Sequence, residues 1–236
     1  MTSTAATDPA ARTGGDRRII VMIGAPGAGK GTQAERLAAE LGLPHISTGE
    51  LFREALRSDD PLGDKVRSYV ESGALVPDGV VVEVVDHRLH ESDADEGVIL
   101  DGFPRTCAQA SALDEMLARS DAAVTATLYV EVAPELLLER LTGRRICSVD
   151  DQHVYHVVAM PPRKEGICDI DGAALFQRQD DTAETVQSRL DKQLPPMFEV
   201  IDHYADHNVL FSVRGDKPAG EVTADLLRAL GPAQSA

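Results

Sequence analysis

Residues 24–32 have the sequence GAPGAGKGT, between a short apolar stretch and the start of a helical pattern. A glycine-rich turn in this position lets backbone N–H groups face an anion, and the positive end of the helix dipole favours the same charge. Lys30 is then expected to reach the β- and γ-phosphates of a nucleotide. The general pattern places Ser or Thr directly after the Lys, whereas here Gly31 intervenes and Thr32 is the nearest hydroxyl. The stretch predicts a phosphate-binding loop, and the alternative is a connector without a ligand.

On both sides of this loop, apolar residues recur with the spacing of alternating strands and helices. The run 19–23 is rich in β-branched residues and predicts a buried parallel strand. Apolar residues at helical spacing follow the loop, and Gly42 is placed as a helix C-cap. Further strands are predicted at 98–100, 127–132 and 209–213, and further helices from 49, at 80–89, at 134–140 and at 184–206 with a break at Pro195. The alternation predicts an α/β fold, with a parallel sheet between layers of helices.

A second chemical signal lies at residues 100–105, LDGFPR, where the next predicted strand ends. The carboxyl end of a strand is where an α/β sheet presents its ligands. Asp101 is predicted to hold Mg²⁺ through water there. Arg105, on a rigid Gly/Pro turn, is predicted to clamp a second phosphate. Taken alone, the segment fits a purely structural turn equally well.

The composition excludes several classes of function. The chain has 236 residues, which allows one large core with an insertion or two small domains. Hydrophobic residues make up 43% and charged residues 26%, as in folded globular proteins. The formal net charge of −16 disfavours nucleic acid and anionic membranes as partners. Only five of the 23 basic residues are Lys, so Arg, which binds phosphate in a bidentate fork, supplies most of the cations.

Cysteine content and the chain ends suggest where the protein works. Three cysteines are too few for a disulfide scaffold, and an odd number suits a reducing compartment. Residues 1–16 are small and polar without the apolar run of a signal peptide, and the sequence contains no membrane-spanning apolar stretch. We therefore predict a cytoplasmic location, a flexible N-terminal tail over 1–17 and a C-terminal tail over 231–236.

Five motifs follow one another along the chain: GAPGAGKGT at 24–32, ISTG at 46–49, LDGFPRT at 100–106, LTGRR at 141–145 and QRQDD at 177–181. In order and spacing they resemble the adenylate kinase family. The resemblance implies a P-loop three-layer fold over 18–230, the CORE, with a helical insertion at 46–76 that binds the nucleoside monophosphate. It also implies a small β insertion at 143–181, the LID. The implied reaction is ATP + AMP to two ADP with Mg²⁺, in a monomer whose partners are these nucleotides.

The resemblance also assigns residues to roles. Those expected on the ATP side are Gly27, Ala28, Gly29, Lys30, Gly31, Thr32, Arg140, Arg144, Val154, Tyr155 and Lys217. Those expected to hold AMP are Thr48, Arg53, Ala74, Leu75, Val76, Gly102, Phe103, Pro104, Arg105, Gln109, Arg178 and Arg189. The implied catalytic set is Lys30, Arg105, Arg144, Arg178, Arg189, Asp180 and Asp181. A surface ion pair is the alternative for each arginine, and a solvated helix position is the alternative for Gln109.

The LID segment holds a candidate metal site, formed by two pairs of ligand-type residues. The pairs are Cys147 with Asp150 and Cys168 with Asp171. The resemblance implies Zn²⁺ in part of the family, commonly on four Cys or on three Cys and one Asp. Because the first turn is one residue longer than the usual knuckle, Asp151 or His153 is an alternative ligand. A metal-free polar network is the competing interpretation, and the replacement of two thiolates by harder carboxylates slightly favours it.

Three other functions remain open from the sequence. A UMP/CMP-type kinase is disfavoured by the 39-residue length of 143–181, because the LIDs of those enzymes are usually short. A nucleic-acid-binding zinc module is disfavoured by the net charge, and a nucleotide-gated switch would not need a second set of arginines. The residues predicted to be packing or surface positions are Cys107, His45, His87, His90, His203 and His207.

Overall fold

The computed structural model describes residues 17–57, 61–150 and 152–231. Within them the strands are β1 (Arg18–Ile23), β2 (His45–Ser47), β3 (Gly97–Asp101), β4 (Val124–Glu131), β5 (Arg144–Cys147), β6 (Val154–His156), β7 (Leu175–Phe176) and β8 (Leu210–Arg214). The helices are α1 (Lys30–Leu41), α2 (Thr48–Arg57), α3 (Pro61–Glu71), α4 (Asp78–Leu89), α5 (Cys107–Ala118), α6 (Pro134–Thr142), α7 (Ala183–Asp206) and α8 (Ala219–Leu230). Five strands pair in parallel in the order β2-β3-β1-β4-β8, which confirms the predicted α/β fold.

The central strand β1 is covered on both faces. Each residue of 19–23 is at most 3% exposed, although side chains along a strand point alternately to opposite faces. Both faces of a parallel sheet are buried when helices pack on each side. In register, Met22 pairs with Asp101, and Asp101 pairs with Ser47. The loops that follow β1, β2 and β3 therefore meet at one edge of the sheet.

Helix α7 departs from the sequence-based prediction, because it continues through Pro195 instead of breaking there. Pro195 and Pro196 both lie inside the helix. A proline removes a backbone donor and normally kinks or ends a helix. Here buried side chains continue at helical spacing on both sides of the prolines, from Val186 to Tyr204, so packing against the core stabilises the two halves as one helix.

Residues 143–181 contain a separate small sheet, as the sequence predicts. Strand β5 pairs antiparallel with β6 and with β7. A second core lies beside this sheet, with Cys147, Tyr155 and Cys168 buried against Ala173 and Leu175. The segment thus has its own packing, apart from the main core.

The predicted tails lie almost entirely outside the described residues, and so does Asp151. Arg17 is the exception in the first tail. Its guanidinium donates to the carbonyl of Ala94 at 3.0 Å and to that of Leu89 at 2.8 Å, which ties it to the folded part. Among the helices of the described ranges, none combines the length and the apolar character that crossing a bilayer requires.

Candidate functional site

The loop after β1 and the start of α1 form the first part of the site. Gly29 is the N-cap residue of α1, with a φ of 92° that L side chains rarely adopt. Lys30 begins the helix, and its Nζ donates to the carbonyl of Ala25 at 3.0 Å, so the ammonium group folds back over the loop. The predicted phosphate-binding residues 27–32 thus lie together at a helix N-terminus, whose dipole favours a bound anion.

Asp101, at the end of β3, lies beside Lys30 and His45. Its Oδ2 is 3.8 Å from Nε2 of His45. Burial raises the pKa of Asp101, but the nearby imidazole and the charge of Lys30 lower it by more. Burial in turn lowers the pKa of Lys30 to about 8, against the opposing effect of Asp101. Asp101 is therefore an ionised carboxylate at the carboxyl edge of the sheet, where α/β proteins bind their ligands.

A close approach at Gly102 joins the loop after β3 to the start of α2. The hydroxyl of Thr48 and Nε of Arg105 each donate to the Gly102 carbonyl at 2.8 Å. A Cβ at position 102 would lie 2.8 Å from Thr48 Oγ1 and 2.9 Å from Arg105 Nη2, and the φ there is 79°. Only glycine fits this position without displacing both partners. Burial, followed by the charge of Arg189, lowers the pKa of Arg105 to about 10.

Two carboxylates hold arginines from the LID sheet and from α7. Arg144 of β5 binds Asp181 in a bidentate pair, with Nη2 to Oδ1 at 2.6 Å and Nε to Oδ2 at 2.8 Å. Arg189 of α7 donates to Asp180 Oδ2 at 2.8 Å and lies 3.6 Å from Asp181 Oδ1. Asp181 is fully buried. Its carboxylate therefore links the base of the LID segment to α7.

The site contains two clefts that share one wall. The first, which we call the loop cleft, is lined by Lys30, Gly24, Pro26 and Pro104 among others. The second, which we call the α2 cleft, is lined by Thr48, Arg53, Ala74, Leu75, Val76 and Gln109 among others. Four residues line both clefts: Gly102, Arg105, Arg189 and Gln193. An anion in one cleft would thus lie next to an anion in the other, with two guanidinium groups at the boundary. Of the predicted AMP residues, Phe103 is fully buried behind this wall.

Two residues of the site were not singled out by the sequence analysis. Gln193 of α7 donates to the carbonyl of Gly73 at 2.8 Å and accepts from Arg105 Nη1 at 3.2 Å. Asp78, the first residue of α4, accepts from Nε2 of Gln109 at 2.7 Å. A signal for Gln193 was present, because it is a polar residue in the otherwise apolar buried stripe of α7.

Two residues expected on the ATP side lie near the loop after β8. Nη1 of Arg140 donates to the carbonyl of Gly215 at 3.0 Å. Lys217 pairs with Asp225 of α8 at 2.6 Å, and its side chain is 39% exposed. The structure therefore brings Arg140 and Lys217 to one loop, but neither is among the described residues that line the two clefts.

The remaining predicted residues belong to the LID segment and its base. Tyr155 is buried in the small core, where its hydroxyl accepts from the N–H of Asp169 at 2.8 Å and lies 3.5 Å from Cys168 Sγ. Val154 precedes it in β6, and Arg178 precedes the single turn at 179–181. Tyr155 is thus committed to LID packing in this structure.

The LID segment brings four metal-ligand side chains together: Cys147, His153, Cys168 and Asp171, whose donor atoms all lie within 4.8 Å of one another. Nδ1 of His153 is 2.9 Å from Asp171 Oδ2 and 3.4 Å from Cys168 Sγ. Cys147 Sγ is 3.2 Å from Asp171 Oδ2. This corrects the predicted set, because Asp150 lies outside the cluster, with its carboxylate 3.4 Å from Nε2 of His153. His153 takes its place in the cluster.

Away from the clefts, the histidines mostly have structural partners. Nε2 of His203 on α7 lies 2.7 Å from Asp114 Oδ2 on α5, so this pair joins two helices. His207 contacts the carbonyl of His203 through Nδ1 at 2.7 Å. These contacts agree with the prediction of satisfied or surface histidines.

Comparison with known proteins gives one consistent result. The family model described as adenylate kinase matches residues 22–209. The adenylate kinase of Bacillus subtilis (strain 168) is 46% identical over 212 residues, which cover 90% of this chain and 97% of that protein. The adenylate kinase of Caldicellulosiruptor saccharolyticus is 45% identical over 212 residues, 90% of this chain and 98% of that protein. The one from Staphylococcus aureus (strain Mu50) is 45% identical over 208 residues, 88% and 96% of the two chains. The matched residues include both clefts and the LID segment, and the chain therefore belongs to the adenylate kinase family.

Proposed function

We propose that this protein transfers the γ-phosphoryl group of ATP to AMP and so forms two ADP. The observation that carries the proposal is the shared wall, where Arg105 and Arg189 line both clefts. With ATP in the loop cleft and AMP in the α2 cleft, the γ-phosphate and the accepting AMP oxygen meet at these two guanidinium groups. Membership of the adenylate kinase family supports the same reaction.

Phosphoryl transfer requires little covalent participation from the protein. The protein contributes mainly by positioning the two nucleotides and by stabilising the charge of the transferred group. Lys30 and the N-terminus of α1 hold the β- and γ-phosphates. Arg105 holds the AMP phosphate, and Arg189 stabilises the charge of the group in transfer. The bidentate contact of Asp181 keeps the guanidinium of Arg144 in a fixed plane at the base of the LID.

Asp180 and Arg178 complete the proposed catalytic set. Asp180 accepts from Arg189 at 2.8 Å and so aims that guanidinium at the shared wall. Arg178 precedes the turn that carries both carboxylates, and we assign it to the transferring phosphoryl group.

The donor atoms around Asp101 fit Mg²⁺. Mg²⁺ prefers oxygen ligands, keeps several waters and is usually bound by one or two carboxylates together with substrate phosphates. Asp101 supplies an ionised carboxylate at the carboxyl edge of the sheet, and Thr32 supplies a hydroxyl in α1. When bound, the ion supplies positive charge that neutralises the phosphates. Asp101 would orient the water shell of the ion, and Lys30 would remain free to bind phosphate directly.

An assay across monophosphates tests the proposal. ADP formation from ATP is measured by a coupled assay with AMP, CMP, UMP and GMP as acceptors. AMP should be the preferred acceptor by a wide margin in kcat/KM. A preference for UMP or CMP would instead assign the chain to the pyrimidine branch of the kinases, and hydrolysis of ATP without any acceptor would support a switch protein.

We further propose a monomer in the cytoplasm, with a CORE over 18–230 and two insertions at 46–76 and 143–181 that move. The three cysteines are free in the described residues, which suits a reducing compartment. Both clefts are built from one chain, so the reaction does not require a second copy.

Closure of the two insertions is expected on nucleotide binding. Beyond the larger effect of burial, Arg105 and Arg189 lower the pKa of Lys30, and Arg189 lowers that of Arg105, so like charges repel one another here and bound phosphates would offset the repulsion. Closure also excludes water, which would otherwise hydrolyse ATP. Solution scattering should show a smaller radius of gyration with a bisubstrate analogue that joins ATP to AMP. Adenosine, which lacks phosphates, is the control and should leave the profile unchanged; an unchanged profile with the analogue would contradict closure.

We propose Zn²⁺ as the occupant of the LID cluster. Two thiolates, an imidazole and a carboxylate are a ligand set that tetrahedral Zn²⁺ accepts. The backbone N–H of Ala173 and the thiol of Cys147 hold the pKa of Asp171 well below its usual range, so the carboxylate is ionised and ready to bind. Asp150 contacts the outer nitrogen of His153, the position from which a carboxylate commonly orients a metal-binding imidazole.

Metal analysis tests the zinc site. Protein purified without added metal should contain one Zn²⁺ per chain, and a chelator should lower the unfolding temperature, because metal binding contributes to LID folding. His153→Ala should lose the metal, whereas Asp150→Ala should retain it with an affinity about 10- to 100-fold lower. His87→Ala, an exposed histidine of α4, is the control and should bind zinc as the wild type does. Zinc content far below one per chain, with stability indifferent to chelator, would establish the metal-free network instead.

A further inference from the structure

Gln109 lines the α2 cleft although it is only 1% exposed, and its side-chain amide has two partners of fixed type. Nε2 donates to Asp78 Oδ1 at 2.7 Å. Oε1 accepts from the backbone N–H of Arg105 at 2.8 Å. The amide is therefore held at both ends, on one side by α4 and on the other by the loop before α5.

These partners determine which way the amide points. A carboxylate only accepts hydrogen bonds and a backbone N–H only donates them. If the amide turned by 180°, Nε2 would face the N–H of Arg105 and Oε1 would face the carboxylate of Asp78, so both hydrogen bonds would be lost. Because the side chain of Gln109 is buried, leaving its amide without these partners is costly. One orientation is strongly favoured.

Asp78 is itself held in place by the cap of α5. The hydroxyl of Thr106 donates to Asp78 Oδ1 at 3.1 Å and accepts from the backbone N–H of Gln109 at 3.2 Å. A hydroxyl has a single hydrogen, and here it is directed to the carboxylate. Asp78, Thr106 and Gln109 thus form one network with consistent donors and acceptors.

The fixed amide still has capacity for a ligand. A primary amide offers two N–H groups and two oxygen lone pairs, and one of each is used by Asp78 and Arg105. One donor and one acceptor remain. Adenine presents a donor at its 6-amino group and an acceptor at N1, whereas hypoxanthine presents an acceptor at O6 and a donor at N1. An amide held in one orientation can therefore pair with only one of these two bases, and the amide turned by 180° pairs with the other base.

We propose that Asp78 is a positioning residue for base selection: it holds the amide of Gln109 in one orientation and so makes the α2 cleft select adenine over hypoxanthine. The proposal rests on the proposed function, which takes this cleft as the AMP site. Asp78 acts through Gln109 and is not among the described residues that line the cleft.

The test compares AMP with IMP. The two nucleotides differ only in the base, which is adenine in AMP and hypoxanthine in IMP. For wild type and Asp78→Ala, kcat/KM is measured for both acceptors with ATP, and the binding of both is measured by calorimetry without ATP. In Asp78→Ala the preference for AMP over IMP should fall about tenfold, because the N–H of Arg105 alone then holds the amide and turning it costs one hydrogen bond instead of two. The KM for AMP should rise while the KM for ATP stays unchanged. An unchanged preference overturns the proposal.

Glu83→Ala is the matched control, because it removes an exposed carboxylate from the same helix and should leave the preference intact. If Asp78→Ala does not fold, Asp78→Leu removes the acceptor while keeping a side chain branched at Cγ, and it should show the same loss. Thermal unfolding of each variant shows whether the assays are made on folded protein.

The same substitution in a chain that lacks the Gln109 side chain separates a positioning role of Asp78 from general support of the fold. In Gln109→Ala the preference for AMP should already be reduced, and adding Asp78→Ala should not change it further, because the residue through which Asp78 acts is gone. A further fall in the double variant would assign Asp78 another role and overturn the proposal. The proposed function itself would be refuted if the wild type phosphorylated no monophosphate. Only the role of Asp78 would be refuted if the wild type preferred AMP and Asp78→Ala had the same preference.

Discussion

Replacing Lys30 by Ala should reduce the turnover of ATP-dependent AMP phosphorylation by at least about 10²–10³-fold, as expected when a donor to developing charge is removed. Lys30 is the first residue of α1, next to the loop that faces the phosphates, and its ammonium is already directed over that loop. Steady-state ADP formation measures the loss. The variant should fold normally, because burial lowers the pKa of Lys30, which means that the folded state disfavours this charge.

The control for Lys30→Ala is Lys192→Ala, which removes an exposed ammonium from α7 and should keep wild-type turnover. Thermal unfolding of both variants excludes a loss of structure as the cause. A turnover of Lys30→Ala within about threefold of wild type would show that the loop does not hold the transferred phosphate.

Replacing Arg105 by Ala should weaken AMP binding about 10- to 100-fold, the range for losing hydrogen bonds to a charged group, and should slow turnover as well. Arg105 is fixed by the Gly102 carbonyl and by Gln193, so its guanidinium is pre-organised for the AMP phosphate. ATP binding should weaken less, although Arg105 also lines the loop cleft, because Lys30 and the helix N-terminus hold most of the ATP charge.

Calorimetry with AMP and with ATP separately measures how much the substitution weakens the binding of each nucleotide. Arg119→Ala, which removes an exposed guanidinium near the end of α5, is the control and should bind both nucleotides normally. Equal weakening of ATP and AMP in Arg105→Ala would mean that the two phosphates do not occupy separate sets of arginines.

Local signals in the sequence were sufficient for four strands of the central sheet, but not for its edge strand β2, and they indicated where the candidate site lies. The phosphate loop and the turn at 100–105 each follow the end of a strand and contain Gly and Pro. Both can be recognised from residues that are close together in the sequence. The continuity of α7 through Pro195 was not predictable in this way, because it depends on packing that a local proline rule does not include.

The missed residues have partners that are distant along the chain. Asp78 and Gln109 lie on different helices, and no spacing rule connects them. The inward position of His153 depends on how the longer turn folds against Cys168 and Asp171, so the sequence left it as one of two alternatives. Short-range patterns therefore located the site but did not predict how its polar side chains pair.

The contacts of Gln193 imply an order of assembly for the protein during synthesis. Its bond to Gly73 spans 120 residues and its bond to Arg105 spans 88. Contacts so far apart in the chain close large loops and are formed late, because the entropy of loop closure must be lost before they contribute. A nascent chain that has released β1, β3 and β4 from the ribosome already has the strands of the sheet centre but still lacks α7, and with it the wall between the two clefts. Nucleotides bound at both clefts can therefore stabilise the protein only after α7 has emerged, which is most of the chain.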